Sequence, residues 1–391
     1  MNLSSATKLF IEEHENDDIR KLALQAKRYP EIDMQMAIQQ IAGRQTAKEK
    51  IPNWYKNDEL LYPKHISMEQ CSSEHTAQFK ADLFHGGTMV DLTGGFGIDF
   101  SFIAKNFKQA TYVEQQPELV DIAAHNFTKL GLNNADVVNT DAIAYLEAMQ
   151  SVDLIYIDPA RRSSTGRKTA LIEDCTPNII EIEELLEQKA KYIMIKLSPM
   201  LDISLAIRSM RNISDVYIIS VANECKELLF IKSHESKKTQ LHCINILNNK
   251  IDQFIFSKED EESTTVSFAF ELGKYLYEPN SSITKGGAYK SIAKAFDLNK
   301  LHISSHLYTS DELHTDFYGR RFEITGMCSL NKKELKEYLL DIKQANITTR
   351  NFPLSTDELR KRTGLKDGGN LYIFATTLAD DKKVLIFCKK I

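Results

Sequence analysis

The sequence predicts an α/β protein: a doubly wound, Rossmann-like and mostly parallel sheet of seven strands, with a helical region before it and smaller α+β modules after it. Three observations carry this reading. Between residues 85 and 235, short apolar runs are separated by amphipathic stretches, the pattern of parallel strands covered by helices. The last two runs are divided only by Ala222 to Glu227, too short for a helix, so they pair antiparallel as a hairpin. A glycine-rich segment, Val90 to Asp99, stands where the first strand gives way to a helix.

The elements follow in order. Up to about Phe84, apolar residues recur at helical spacing, as in Ile19, Leu22, Ala23 and Ala26 and then Met34, Ala37, Ile38 and Ile41, with Pro30 and Pro52 as breaks. Ser72 or Ser73 is placed to cap a helix running through Phe79 to Phe84. The seven strands are expected at Thr88–Leu92, Ala110–Glu114, Ala135–Asn139, Asp153–Ile157, Tyr192–Leu197, Val216–Val221 and Leu228–Lys232. Beyond a polar linker, Leu241–Leu247 and Ile251–Phe256 read as a hairpin, Thr265–Leu272 as a strand and Ala288–Phe296 as a helix. From Gly319 the pattern is strand, helix (Lys332–Ile342), strand, helix (Thr356–Thr363) and a hairpin around Asp380 and Asp381.

At 391 residues the chain is long enough for two or three compact units. Its mixture of 42% apolar and 26% charged residues is that of a globular protein. No apolar run reaches the roughly 18 residues that span a bilayer, and the N-terminus lacks a signal-peptide pattern, so a cytoplasmic protein is expected. The six cysteines, at 71, 175, 225, 243, 328 and 388, form no CxxC, and the ten histidines show no metal-ligand spacing, so no metal is expected. The net charge of −5 argues against a protein that coats nucleic acid uniformly. Yet Phe317 to Ile391 holds 15 Lys and Arg against 9 Asp and Glu, a basic C-terminal module on an acidic body.

The loop at Asp91 needs glycines because side chains there would strain the turn or fill the ligand's volume. A dinucleotide fingerprint requires glycine at 95, 97 and 100, but position 100 is Phe, which disfavours NAD. A Walker loop is excluded likewise, since Arg161 stands where its first glycine belongs ahead of Gly166-Arg167-Lys168-Thr169. The loop instead resembles methyltransferase motif I, an acid followed by small residues at alternate positions: Asp91, Thr93, Gly95 and Gly97, with Thr93 in place of the usual first glycine. That resemblance implies S-adenosylmethionine as cofactor, Asp91 organising its methionine end, and the stretch Thr93, Gly94, Gly95, Gly97 and Asp99 beside it. Glu114 ends the second strand 17 residues beyond Gly97, where a carboxylate accepts hydrogen bonds from both ribose hydroxyls, or is simply an exposed strand end. Asp141 follows the third strand, a place suited to the adenine amino group and to a helix N-cap alike.

The fourth strand runs into Asp158-Pro159-Ala160-Arg161-Arg162. A sulfonium donor carries its own reactivity, so the enzyme's task is to hold a nucleophile in line and redirect its proton. Asp158 suits both, Pro159 fixes the turn that aims it, and Arg161 completes the candidate catalytic set. Enzymes that methylate amino groups of nucleic acids usually continue with a second proline and an aromatic, absent here. The DPAR string resembles RNA uracil C5-methyltransferases, but Lys196-Leu197-Ser198-Pro199-Met200 lacks the cysteine nucleophile of that mechanism. Arg161, Arg162, Arg167 and Lys168 put four positive charges beside the active edge, a phosphate clamp or a solvated loop. Cys175 reads as a buried structural cysteine.

Taken together, Gln40-Ile41 with Arg44, Lys50-Ile51-Pro52-Asn53-Trp54, Glu69 to Glu74, DLTGGFGID, DPARR, Glu173-Asp174-Cys175, Phe352-Pro353-Leu354 and Lys366 to Gly369 resemble a family of bacterial class I methyltransferases. Members carry a ferredoxin-like domain and a C-terminal THUMP-like domain. The resemblance implies the boundaries 1–84 (helical region), 85–235 (methyltransferase), 236–318 (ferredoxin-like) and 319–391 (THUMP-like). Because THUMP domains accompany tRNA-modifying enzymes, it also implies a structured RNA, tRNA or rRNA, as substrate. Two other readings stay open: methylation of a protein or small molecule, and a non-catalytic RNA-binding protein.

Overall fold

The structure is a computed structural model that describes residues 3–161, 172–235, 238–248, 250–340 and 342–391. The chain divides into two units, Met1–Val216 with Glu227–Lys237, and Tyr217–Lys226 with Lys238–Ile391.

In the first unit, side-chain caps start the helices where the sequence changes from polar to periodic. Ser4 caps α1 (Ser5–Glu13), Asp18 caps α2 (Ile19–Leu24) and Asp33 caps α3 (Met34–Lys50) by accepting from free backbone N–H groups. Their apolar faces close on Phe10, Ile11, Leu22, Met34, Ala37 and Ile41. Pro52 occupies the first turn of the short α4 (Pro52–Tyr55), where its missing N–H costs nothing. Then come α5 (His65–Gln70) and α6 (Glu74–Ala81); Ser73 is the cap of α6, and the helix ends three residues before Phe84.

Strand β1 (Gly86–Asp91), α7 (Ile98–Ile103), β2 (Phe107–Glu114), α8 (Pro117–Lys129), β3 (Ala135–Asn139), α9 (Ala142–Ala148) and β4 (Val152–Ile157) alternate as expected. A short ladder, β5 (Ala160–Arg161) with β6 (Cys175–Thr176), precedes α10 (Ile179–Lys189), β7 (Ala190–Leu197), α11 (Ile203–Ser209), β8 (Ile213–Val221) and β9 (Glu224–Ser233). Most strands start earlier than the apolar pattern indicates, because their first residues are only half covered. In β2, Phe107 is buried but Lys108 and Gln109 are exposed. Within a larger, nine-stranded sheet these seven strands run in the order β8-β9-β7-β4-β1-β2-β3. β1, β2, β3, β4 and β7 are parallel, and β9 enters antiparallel against β7, with Leu197 opposite Leu228. The β8–β9 turn places Ala222 and Asn223 at φ 49° and 64°, the left-handed pair of a two-residue hairpin. Register aligns Asp91 with Tyr156 and with Tyr112, and Glu114 with Asn139, so the strands' carboxyl ends form one edge.

The second unit contains the expected hairpin, β10 (Gln240–Leu247) with β11 (Lys250–Phe256), followed by α12 (Lys258–Ser263). Thr265–Leu272 is not a strand. Ala269 N–H reaches Lys300 and Lys300 N–H reaches Ser267, but no further pairing follows. Alternation exposes Phe268 and Phe270 and buries Ala269, the reverse of a core-facing strand, so strand-favouring residue types lack a partner. The pairing falls instead to β12 (Tyr275–Pro279), absent from the sequence reading. After α13 (Ser281–Gly286) and α14 (Tyr289–Ala295) come β13 (Asn299–Lys300), β14 (Tyr308–Ser310), β15 (Gly319–Cys328), α15 (Lys332–Tyr338), β16 (Asn346–Arg350), α16 (Thr356–Thr363), β17 (Leu371–Thr377) and β18 (Lys383–Lys390). α15 ends at Tyr338, before the predicted Ile342. These strands make a sheet in the order β13-β14-β12-β15-β18-β17-β16, with a core on each side of it around Phe322 and Phe374 and around Leu359 and Phe387.

Candidate active site

The carboxyl edge of the first unit's sheet is shaped by its glycine loop. Gly95 and Gly97 have φ of 56° and 86°, left-handed values that ordinary side chains rarely adopt. Gly94 is needed for a different reason: a Cβ there would lie 2.1 Å from the Tyr112 ring. The loop is tied down at each step. Gly94 N–H donates to Val113 O, Gly95 N–H to Glu114 Oε2 at 2.9 Å, and Tyr112 Oη–H to Gly95 O. Thr93 N–H donates to Asp91 Oδ1 at 3.0 Å.

Asp91 is 1% exposed, and this one N–H is a slight compensation for its burial. Burial pushes its carboxyl well above the ordinary range, and the carboxylates of Asp99, Asp158 and Glu114 push it the same way. Such a group is relieved by a cation, which is what a sulfonium-bearing amino acid offers. The donor set therefore fits S-adenosylmethionine. Glu114 is 7% exposed, and its two oxygens accept from Gly95 and Gln116 N–H groups, leaving lone pairs for a ribose. Asp141 is exposed and caps α9 through the N–H groups of Ile143 and Ala144.

Asp158 follows β4. Its backbone N–H donates to Thr93 Oγ1 at 2.7 Å, binding the reaction strand to the cofactor loop. Its Oδ2 lies 2.6 Å from Lys196 Nζ at the end of β7. Pro159 is buried beside it, and Ala160 and Arg161 pair with Thr176 and Cys175. Arg162, Arg167 and Lys168 lie outside the described residues, as does the side chain of Arg161. Cys175 is buried, as a structural cysteine would be.

Behind Asp158 stands a buried charge cluster that sequence reasoning missed. Asp99 is turned into it rather than toward the loop's open side. Its Oδ1 is 3.0 Å from Lys80 Nζ, and its Oδ2 receives the hydroxyls of Tyr156 at 2.6 Å and Ser72 at 2.7 Å. Burial opposes its charge, but Lys80, Lys196, Tyr156 and Ser72 together hold it well below the ordinary carboxylate range. Lys80, fully buried, also binds Glu227 Oε1 at 2.6 Å and Ser72 Oγ at 2.9 Å. The sequence did carry one sign of it: Lys80 falls on the same helical face as Thr76 and Ala77, where a lysine has no place unless paired.

No helix of the described residues is long and apolar enough to cross a membrane. Among the described residues no group of His, Cys, Asp or Glu is placed to hold a metal ion.

A doubly wound parallel sheet with β9 inserted antiparallel beside β7, and a glycine loop and acids at the carboxyl edge where such sheets bind ligands, is the arrangement of a class I methyltransferase. The model of a ferredoxin-like domain matches residues 275–317, and that of a THUMP domain-like unit matches residues 319–390. A crystal structure of a candidate methyltransferase from Porphyromonas gingivalis W83 is 33% identical, covers 98% of this chain and 97% of its own, and superposes with a TM-score of 0.88. The chain belongs to that family, the bacterial class I S-adenosylmethionine-dependent methyltransferases with ferredoxin-like and THUMP-like domains. Two proteins called ribosomal RNA small subunit methyltransferase J are 28% identical, that of Psychrobacter cryohalolentis over 145 residues and that of Psychrobacter arcticus over 137, which is 29% and 27% of this chain. The chain spans about half the length of these curated relatives, 49% and 46%.

Proposed function

We propose that the protein transfers a methyl group from S-adenosylmethionine to a base of a structured RNA, ribosomal or transfer RNA, with Asp158 at the acceptor. The observation that carries this is Asp158 itself, fixed at the carboxyl edge by Thr93 and Lys196 while its side chain stays 37% exposed. The names of the Psychrobacter relatives and the THUMP-like match support RNA as the acceptor class.

In this reading Asp91 receives the methionine end of the cofactor, Glu114 the ribose hydroxyls and Asp141 the adenine amino group. Thr93, Gly94, Gly95 and Gly97 pass their backbone alongside, and Asp99 braces the loop from within the charge cluster. When bound, the cofactor supplies an activated methyl group on a sulfonium. Asp158 holds the acceptor in line and takes its proton, and Pro159 and Arg161 shape the turn around it. Arg161, Arg162, Arg167 and Lys168 clamp phosphate, and the basic C-terminal module docks the RNA through contacts that weaken as salt rises. Turning the base into the site costs only a few kcal/mol, least where it is unpaired. The domain boundaries 1–84, 85–235, 236–318 and 319–391 belong to the same proposal, as does a cytoplasmic location.

The test incubates the protein with methyl-labelled S-adenosylmethionine and total RNA from cells lacking its gene, with Asp158→Ala as control. Label entering RNA only with the intact enzyme is expected. Label entering protein or a small molecule instead overturns the RNA assignment.

A further inference from the structure

Lys196 has three N–H donors, and each meets an acceptor. Asp158 Oδ2 lies at 2.6 Å, Ser72 Oγ at 3.2 Å and Asp99 Oδ2 at 3.3 Å. The acceptors behind it are themselves immobilised, Ser72 and Asp99 by Lys80 and Asp99 again by Tyr156. The ammonium is thus a fixed point, with two supports on the buried side and Asp158 on the open side. The residue is 8% exposed. Burial alone would favour its neutral form, but Asp158, Asp99 and Glu227 raise its proton affinity well above that of an ordinary lysine. A lysine so held does not shuttle protons at working pH; it acts as a permanent charge.

We propose that Lys196 is a positioning residue for methyl transfer: braced by Asp99 and Ser72, it fixes one oxygen of Asp158 and leaves the other for the acceptor. The inference rests on the reading of Asp158 as the residue at the acceptor. It also gives the N-terminal helices a task, since Ser72 immediately precedes the α6 cap and Lys80 lies in α6 itself. Through them the helical region reaches the reaction site by way of a single ammonium. Thr93 supplies the second fastening, on the backbone of Asp158.

The experiment compares wild type, Lys196→Met and Lys196→Arg. It measures S-adenosylmethionine affinity by calorimetry, label transfer to RNA from cells lacking the gene, and the Asp158 side chain by crystallography. Lys196→Met is expected to bind the cofactor nearly as wild type and to lose about 100-fold in turnover at saturating RNA, as for a reacting group displaced by an ångström. Its KM for RNA barely moves, its Asp158 side chain spreads over more than one rotamer, and Lys196→Arg recovers part of the turnover. Turnover of Lys196→Met close to wild type, or a loss fully matched by lost cofactor binding, overturns the proposal. If Lys196→Met does not fold, Thr93→Val tests the other fastening: slower turnover at unchanged KM supports the proposal, and unchanged turnover overturns it. If the wild type labels no RNA, the RNA reading fails on its own. The crystal structure then decides, and a single, unmoved Asp158 rotamer in Lys196→Met overturns the positioning role.

Discussion

Two buried lysines on neighbouring strands of the same sheet show the difference between a charge that holds a fold and a charge that serves a site. Lys232 on β9 lies opposite Ile193, toward the amino end of β7. It pairs with Glu183 and, at 2.9 Å, with Glu187, and Arg211 closes on Glu183 from outside. Two cations meet two acids, and nothing is left over. At the carboxyl edge, Lys80 and Lys196 face three acids: Asp99, Glu227 and Asp158. One of these reaches the surface, and Asp91, which is in no ion pair among the described residues, lies close enough to feel the charges of Asp99 and Asp158. The first cluster is complete without a ligand. The second carries surplus negative charge where a cationic cofactor is expected, and such imbalance marks functional sites.

The comparison is most severely tested by Lys232→Met. Leaving Glu183 and Glu187 without their buried partner is expected to cost about 3–5 kcal/mol of stability, read by denaturant unfolding. Label transfer per folded molecule should stay at the wild-type level, unlike that of Lys196→Met. A selective loss of turnover would erase the distinction between the two clusters. A smaller effect is expected from Gly94→Ala, whose methyl group meets the Tyr112 ring. Overpacking of this kind costs about 1–3 kcal/mol, and calorimetry should show weakened cofactor binding along with it.

The smallest effect concerns acid. Burial works against the charge on Glu183, but Lys232 and Arg211 outweigh it and lower its proton affinity in the fold. Its contribution to stability is therefore full above the unfolded glutamate value of about 4.3 and is lost as pH falls through the lowered folded value. Glu183→Gln should flatten the stability profile below that pH; an unchanged acid limb would remove Glu183 from the balance.

What the sequence made legible follows the same division. Asp91, Glu114 and Asp158 stand at the carboxyl ends of strands, and the sheet's own geometry gathers such ends on one edge. Local pattern was therefore enough to group them. The charge cluster could not be read this way, because its members come from distant positions: Lys80 and Glu227 are separated by 147 residues. The requirement at Gly94 depends on a ring from the neighbouring strand. The error at Thr265–Leu272 has the same origin, since residue types that favour strands say nothing about whether a partner strand is present.

Whether the acids of the first unit's carboxyl edge receive S-adenosylmethionine is decided by calorimetric titration of the cofactor in buffers of different ionisation enthalpy. Because burial raises the proton affinity of Asp91, a bound cation should favour its charged form. Binding should then release protons and tighten as pH rises through the Asp91 titration. At pH within the Asp91 titration, wild type is expected to bind with proton release, whereas Asp91→Asn is expected to bind at least about tenfold more weakly, a difference of about 1.4 kcal/mol, without that release. Absence of binding by the wild type, or equal binding by Asp91→Asn, would contradict that role for the acids.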